Sequence, residues 1–336
     1  MTVPRHDQPV TGSPDLFAAA RLGDRWVVRC RLPDGSATDV VGWLDQLTPA
    51  HLHLTAETGE RHVVTRTDVV AARRAPAARG GPPPERTSAA ELENHALQGW
   101  LALHEPLGDW TLRAGGGYTG RANSCLAVGD PGMPVAAAAE RIRAYAASNA
   151  IPARAQVVRG SGPERDLRAL DWSDTYVATD VLAVRLADLL GDTPWPPGVR
   201  VTETLEVPWW DAYQESRADR TAGPGQADPA LVRLILAGHP PRAFASAPGP
   251  DGRALSIARG HLSGDWLGYA AIWTRTEHRR QGWAGRLVGG LGHWAARRGA
   301  RYAYLQVASA NTAAVAAYER MGFRRHHSYL YLAPPA

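Results

Sequence analysis

The sequence predicts an α+β protein in which a small β-barrel precedes two tandem lobes, each a sheet flanked by helices. Three observations predict it. Apolar residues alternate at period two through the stretch after Asp24; helical and extended patterns alternate from residue 88 onward; and the element order of 135–184 returns over 283–332. A chain of 336 residues has room for two or three domains, and 44% hydrophobic residues can build their cores.

The elements follow in order. Residues 1–14 are polar and read as a flexible tail. Over 15–74, Trp26, Val28, Cys30 and Leu32 alternate with polar neighbours, Asp34-Gly35 makes a hairpin turn, and Val41 to Leu44, His51 to Ala56, His62 to Val64 and Val69-Val70 supply further short strands around Thr58-Gly59. Residues 75–86, APAARGGPPPER, read as a linker. The first lobe spans 87–197. Ser88 and Glu91 form a capping box for a helix carrying Leu92, Ala96, Trp100 and Leu103. Strands at Trp110–Ala114 and Asn123–Val128 flank Gly115-Gly116-Gly117, and a helix, a strand, a short helix and a strand complete the lobe by Val184. The second lobe spans 198–334. A strand over Val199–Glu206 and a helix over Trp209–Ser216 lead to a helix opened by Asp228-Pro229. Three strands, a helix starting near Gly282, a strand over Tyr302–Val307, a helix capped by Asn311 and a last strand over Arg325–Leu332 follow. Asp171-Trp172 stands in the first lobe where Gly322-Phe323 stands in the second.

Composition removes several chemistries. All 37 basic residues are arginine, so a Schiff-base lysine, a phosphate-loop lysine and a lysine general base are excluded. Two cysteines cannot build a disulfide framework or a cysteine zinc site, and a reducing compartment is expected. His326-His327 has no companions at metal spacing and reads as a surface pair; no metal is expected. The N-terminal segment lacks a signal-type apolar core and no run has the length of a membrane span, so a soluble cytoplasmic protein is expected. The net charge of +4 is spread along the chain, and Asp34, Asp39, Asp45 and Glu57 among the arginines of the barrel argue against nucleic acid.

The segment that carries chemistry is Thr274-Arg275-Thr276-Glu277-His278-Arg279-Arg280-Gln281-Gly282-Trp283-Ala284-Gly285. It joins a strand to a helix. A helix N-terminus leaves about four N–H groups unpaired and carries roughly half a positive charge; small residues at 282, 284 and 285 let a pyrophosphate approach, and Arg279 and Arg280 add charge. The equivalent turn of the first lobe, Gly129-Asp130-Pro131-Gly132-Met133-Pro134, has an acid, no arginine and two prolines, so one pyrophosphate-binding turn is expected, in the second lobe.

Arg279-x-x-Gly282-x-Ala284 after a strand, followed by Asn311-x-x-Ala314-x-x-x-Tyr318-x-x-x-Gly322-Phe323, resembles the GNAT superfamily of N-acetyltransferases over roughly residues 199–333. More narrowly, the chain is similar to actinobacterial GNAT proteins with an SH3-like N-terminal domain and a degenerate first lobe, some of them called histone acetyltransferases; the tandem layout is also similar to that of mycothiol synthase. The resemblance implies a mixed, mostly antiparallel sheet and acetyl-coenzyme A as co-substrate. It implies that Ile272, Trp273 and Thr274 pair with the pantetheine, that Arg279, Arg280, Gln281, Gly282, Trp283, Ala284 and Gly285 hold the pyrophosphate, that Asn311 contacts the coenzyme besides capping its helix, and that Tyr318 is the general acid protonating the departing thiolate. The general base is open: the central strand has no acid, and His261, Glu203 or Glu206 through water are the alternatives. Arg121, Asn123 and Ser124, dense polar residues in a strand, read either as an acceptor-binding segment or as a lobe interface, and His261 is a further acceptor-side candidate.

The function expected is transfer of an acetyl group to a primary amine, of a small metabolite or a protein. The alternative is a catalytically silent acyl-coenzyme A sensor whose SH3-like domain binds a protein partner.

Overall fold

The computed structural model describes residues 16–18, 20–76, 80–218, 227–238 and 241–335. The predicted tail and part of the predicted linker lie outside them. The chain divides into two compact units at Ala75/Pro76.

The first unit is a five-stranded antiparallel sheet built from β1 (Arg25–Arg31), β2 (Ala37–Leu47), β3 (His51–Thr55), β4 (Arg61–Thr65) and β5 (Val69–Ala75), in the order β4-β3-β2-β1-β5. Its alternating face buries Trp26, Val28, Leu44, Leu52, Leu54 and Val64. A Cβ on Gly42 would meet the Thr55 carbonyl oxygen at 2.7 Å, so only glycine lets β2 and β3 cross so closely.

The second unit begins with α1 (Ala89–Leu97), whose N-cap Ser88 accepts from the Glu91 N–H at 3.1 Å. The helix was expected to reach Leu103. It stops at Leu97 with Gln98 as its C-cap, and Gly99 beyond it packs where a side chain would occupy the space of the His261 ring; Leu103 instead opens a strand. The first lobe continues with β6 (Leu103–Leu107), β7 (Trp110–Ala114), β8 (Cys125–Ala127), α2 (Val135–Ser148), β9 (Ala155–Val158), α3 (Gly162–Arg168), β10 (Ser173–Asp174), β11 (Thr179–Arg185) and α4 (Leu186–Leu190). The second lobe comprises β12 (Arg200–Thr202), α5 (Val207–Ala218), α6 (Pro229–Ala237), β13 (Arg242–Pro248), β14 (Ala254–Ser263), β15 (Trp266–Thr274), α7 (Trp283–Ala296), β16 (Tyr302–Ala308), α8 (Thr312–Arg320) and β17 (Arg324–Ala333). Three differences from expectation are local. The strand over Val199–Glu206 contracts to three residues where Thr202 Oγ1 donates to the Thr204 carbonyl; the strand over Asp174–Val184 splits in two; and α4 was not foreseen.

All strands of this unit join one twelve-stranded sheet, ordered β12-β13-β14-β15-β16-β11-β17-β9-β8-β7-β6, with β10 beside β17. Its pairings are antiparallel except β15–β16 and β8–β9, which occupy equivalent places in the two lobes. The lobes exchange their last strands: β11 of the first lies between β16 and β17 of the second, and β17 pairs onward to β9 of the first. The internal repeat extends to backbone detail. Asp171 and Gly322 both take positive φ, at 63° and 99°, and the Trp172 and Phe323 N–H groups donate back to Leu167 and Tyr318, each at 3.2 Å. On one face of the sheet α7, α8 and α4 cover Leu182, Val184, Ala258, Tyr269, Leu305 and Phe323. On the other, α5 and α6 with Trp100 and Tyr118 cover Phe244, Ile257 and Ala270.

Candidate functional site

The parallel pairing of β15 with β16 runs from Trp266↔Tyr302 to Tyr269↔Leu305 and stops. Beyond it β16 stays bonded to β11, while 270–274 continue with β14 as their only strand partner among the described residues. The two parallel strands therefore part, leaving one edge of β15 open. At the point of parting β15 carries a bulge: Ile257 faces Trp273 and Arg259 faces Ala270, so Ala258 stands opposite both Ala271 and Ile272. Ala271 has φ of 52°, a conformation an alanine adopts at a cost of about 1 kcal/mol, and the bulge turns its peptide groups out of the regular ladder. Ser256 Oγ donates to the Trp273 carbonyl at 2.8 Å and lies 2.8 Å from Thr274 Oγ1, fixing the strand end. That end borders a depression of about 260 Å³ lined by Glu215, Ala218, Trp273, Arg275, Thr276 and Glu277.

The turn that follows is anchored at its start and open at its end. Arg275 donates from Nε to the Ala254 carbonyl at 2.9 Å and pairs with Glu215 at 2.7 Å. Arg279 Nε donates to the Thr274 carbonyl at 3.1 Å, and Gln281 Nε2 to that of Glu277 at 3.3 Å. Arg280 and Gly282 take φ of 60° and 79°, and Gly282 is the N-cap of α7 with no side chain to cap it. Among the described residues no carbonyl accepts from the backbone N–H groups of 280–285. A Cβ at Gly282 would find nothing within 4 Å, so the concavity in front of these donors is clear. This is an anion cradle by its backbone alone. Trp283 folds back, its ring beneath the Arg286 guanidinium at 4.6 Å. Gly285 faces Met321 at the end of α8, bringing the two helices together.

Tyr318 lies on α8, packed on the core shared with α7, its ring edge-to-face with Phe323 at 6.2 Å. Burial pushes its phenol up to about 12. Asn311 is the N-cap of the same helix and accepts from the Ala314 N–H at 3.2 Å. The predicted coenzyme residues 272–274, 279–285, Asn311 and Tyr318 thus fall on the parting strand, the helix start beside it and the helix across from it.

The first lobe has the same plan without these openings. β8 is three residues long and paired with β9 along its whole length. The turn before α2 has fewer donors to offer: Asp109 Oδ2 accepts from the Asp130 N–H at 2.9 Å, Asp130 Oδ1 accepts from the Gly132 N–H at 2.8 Å, and Pro131 and Pro134 have none to give. The hydrogen-bond register places buried Leu167 where the second lobe has Tyr318.

The residues expected on the acceptor side are mostly engaged within the protein. Asn123 Oδ1 accepts from the Gly115 and Gly117 N–H groups at 2.8 and 2.9 Å and its amide donates to the Thr119 carbonyl, so it braces the glycine loop. Ser124 Oγ lies between Arg113 and the Gly120 carbonyl. Both are buried and turned inward, Asn123 satisfying glycine N–H groups of the loop and Ser124 the Arg113 guanidinium. Arg121 alone of the three is stacked on an aromatic ring, that of Trp100 in the same lobe at 4.8 Å, and its guanidinium also meets Tyr329 of β17. His261 is buried at 3% exposure with Nε2 2.8 Å from Tyr304 Oη, and burial with nearby arginines drives its imidazole down to about 3, far from the range of a general base at neutral pH. Glu203 is held by Arg298 and by Trp294 Nε1, and Glu206 by Arg200 at 2.7 Å. His326-His327 is no surface pair. His327 Nε2 lies 2.9 Å from Glu93, itself buried and bonded to Gln156, and His326 Nε2 lies near the Pro84 and Thr87 carbonyls. Among the described residues no group of three or more His, Cys, Asp or Glu is placed to hold a metal, and no described helix is long and apolar enough to cross a membrane.

Sequence reasoning missed the bulge and a second group of side chains, Arg259, Trp100, Tyr118 and Arg217, on the face of the sheet opposite α7. The signal for the latter was a charged residue, Arg259, inside an apolar strand.

With this geometry in place, the comparisons with known proteins are decisive for family. Residues 87–332 match the family described as "Probable histone acetyltransferase Rv0428c C-terminal", and residues 20–73 match "Rv0428c N-terminal Sm-like domain". The chain belongs to the Rv0428c family. That family's description makes the first unit Sm-like where an SH3-like barrel was expected; what holds is a small antiparallel sheet. Among solved structures, a GCN5-related N-acetyltransferase from Kribbella flavida is similar at 20% identity with a TM-score of 0.52, covering 74% of this chain and 96% of that one. A GCN5-related N-acetyltransferase from Sphaerobacter thermophilus aligns at 19% identity over 56% of this chain and 64% of that one, TM-score 0.41. A tandem GNAT protein from the clavulanic acid biosynthesis pathway aligns at 14% identity over 63% and 76%, TM-score 0.45. The likeness to the Kribbella flavida structure shows the GNAT fold in this chain. No curated protein matches.

Proposed function

We propose that the protein is an acetyl-coenzyme A-dependent N-acetyltransferase with one coenzyme site, in the second lobe. The observation that carries the reading is the conjunction of an open strand edge, a bulge and an uncapped helix start within one stretch, 270–285. A pantetheine amide chain needs backbone partners and finds them along Ile272, Trp273 and Thr274; a pyrophosphate needs convergent donors and finds the N–H groups of 280–285 with Arg279 and Arg280. The coenzyme supplies the activated acetyl thioester. This chain's residues do the rest. The bulged peptide at Ala271 offers an N–H toward the thioester carbonyl, Asn311 fixes the start of α8, and Tyr318 holds a proton for the sulfur as the carbon–sulfur bond breaks and the amide carbon–nitrogen bond forms. The proton leaving the amine goes to water, since His261, Glu203 and Glu206 are each engaged elsewhere.

That engagement favours a second reading, an acyl-coenzyme A sensor without turnover, whose first unit would bind a protein partner. Titration calorimetry with acetyl-coenzyme A separates both from neither. One-to-one binding is expected, and its loss in Gly282→Glu, a position where the added side chain has room and only its charge and φ oppose it. Persistence of binding in that variant would overturn the placement. Thiol release with an amine then separates enzyme from sensor.

A further inference from the structure

On the face of the sheet opposite α7, positive charge is buried without a counter-ion. Arg259 projects from β14 opposite Ala270, one residue before the bulge, and is 1% exposed. Its Nε donates to the Leu236 carbonyl at 2.8 Å, its guanidinium lies 5.3 Å from the Trp100 ring, and its Nη1 is buried with no partner. Arg121 is also stacked on Trp100. Arg242, on the neighbouring strand, also has a buried Nε without a partner, and Arg217 lies 5.1 Å over the Tyr118 ring, whose hydroxyl meets that of Tyr213. Among the described residues none of these four arginines forms an ion pair. Burial holds Arg259 down to about 10, and the groups acting on it most strongly are tyrosines and another arginine.

The same unit shows how it treats a buried arginine that has only a structural task. Arg113, 2% exposed, donates to the Ser124 carbonyl at 2.9 Å, to Ser124 Oγ at 2.7 Å and to Gln156 Oε1 at 2.8 Å. Arg259 receives one carbonyl and an aromatic face. Buried guanidinium groups are ordinarily paired, because an unpaired charge away from water is costly; ring faces offset only part of that. The uncompensated group sits behind the point where β15 and β16 part, on the far side from the anion cradle, which is where an acceptor amine would have to meet the thioester.

We propose that the acceptor is a small amine bearing an oxyanion, held by Arg259 with Arg121, Arg217 and Arg242, and that a lysine-rich protein tail is disfavoured by the same charge. This rests on the transferase reading and names its substrate class. Planar carboxylate and tetrahedral phosphate suit an arginine fork equally, and the assay distinguishes them. Among the residues that would form this subsite, Trp100, Tyr118 and Arg121 come from the first lobe, giving a lobe without a coenzyme turn a part in recognition.

The test measures kcat/KM by thiol release for the full-length protein with four acceptors: an amino acid, its methyl ester, an aminoalkyl phosphate and a histone-tail peptide. The free acid or the phosphate should exceed the ester by about a hundredfold, the scale of a buried charged hydrogen bond, with the tail peptide weakest. Arg259→Gln should erase that preference while leaving the affinity for acetyl-coenzyme A, read by calorimetry, unchanged. Arg217→Gln, half-exposed and milder, should reduce it if the Arg259 variant does not fold. Equal rates with ester and acid, or preference for the tail, would overturn the proposal and leave the transferase reading intact. Coenzyme binding with no transfer to any acceptor would overturn both.

Discussion

A phenol moved to about 12 keeps its proton through the whole range in which the protein can be assayed, whereas an exposed tyrosine begins to lose it near 10. Tyr318→Phe is therefore expected to lower kcat about 10- to 100-fold with acetyl-coenzyme A affinity unchanged, and the wild-type rate should not decline between about pH 9 and 10.5. A decline over that interval, followed by kinetics on two acceptors, would assign the proton to another group. His261 makes the opposite case. Its native imidazole is neutral down to about 3, while in the unfolded chain it binds a proton near 6.5, so acid favours unfolding as pH falls below 6.5. Between pH 7 and 5 this removes about 2 kcal/mol, measurable by urea unfolding; a His261→Asn variant should lose correspondingly less. An unchanged slope in the variant would show that other groups carry the acid sensitivity. Residues acting through their near neighbours were legible in the sequence. Asn311, Gly282 and Gly322 are where spacing placed them, because caps and positive-φ positions are set within a few residues. The partners of Asn123, Ser124 and His261 were not legible, because Gly115, Arg113 and Tyr304 are supplied by other elements.

At the scale of elements, the sequence showed the turn before α7 but not the bulge before the turn. A bulge is a register relation between two strands, and Ala271 carries no mark of it. Its φ suggests a test. Ala271→Gly removes the steric cost and should raise stability by up to about 1 kcal/mol in thermal unfolding, with the turnover rate unchanged or lower as the strand loosens. A fall in stability would mean that the alanine methyl group packs to advantage. The helix start at Gly282 and the turn at Asp130 form a contrast within one chain: the second spends two of its donors on aspartate side chains and loses two more to proline, while among the described residues the first has no carbonyl acceptor on any of its own.

At the scale of the whole second unit, the repeat was legible as an order of elements, and the strand exchange was not, because either copy could have closed on itself with the same pattern. β11 bonds to β16 and β17 at once, so its core residues belong to both lobes. Leu182→Ala is expected to cost about 3 kcal/mol and to lower amide-exchange protection in β9 and β16 together. Loss of protection confined to one lobe would show that the lobes unfold separately.

The exchange also imposes a schedule on synthesis. β9 and β11 emerge early, yet both lack β17, which is made only after residue 323, and β11 waits for β16 besides. Until translation passes β17, the first lobe presents raw strand edges to the cell, and these late, long-range contacts place the closing step after both lobes have been made.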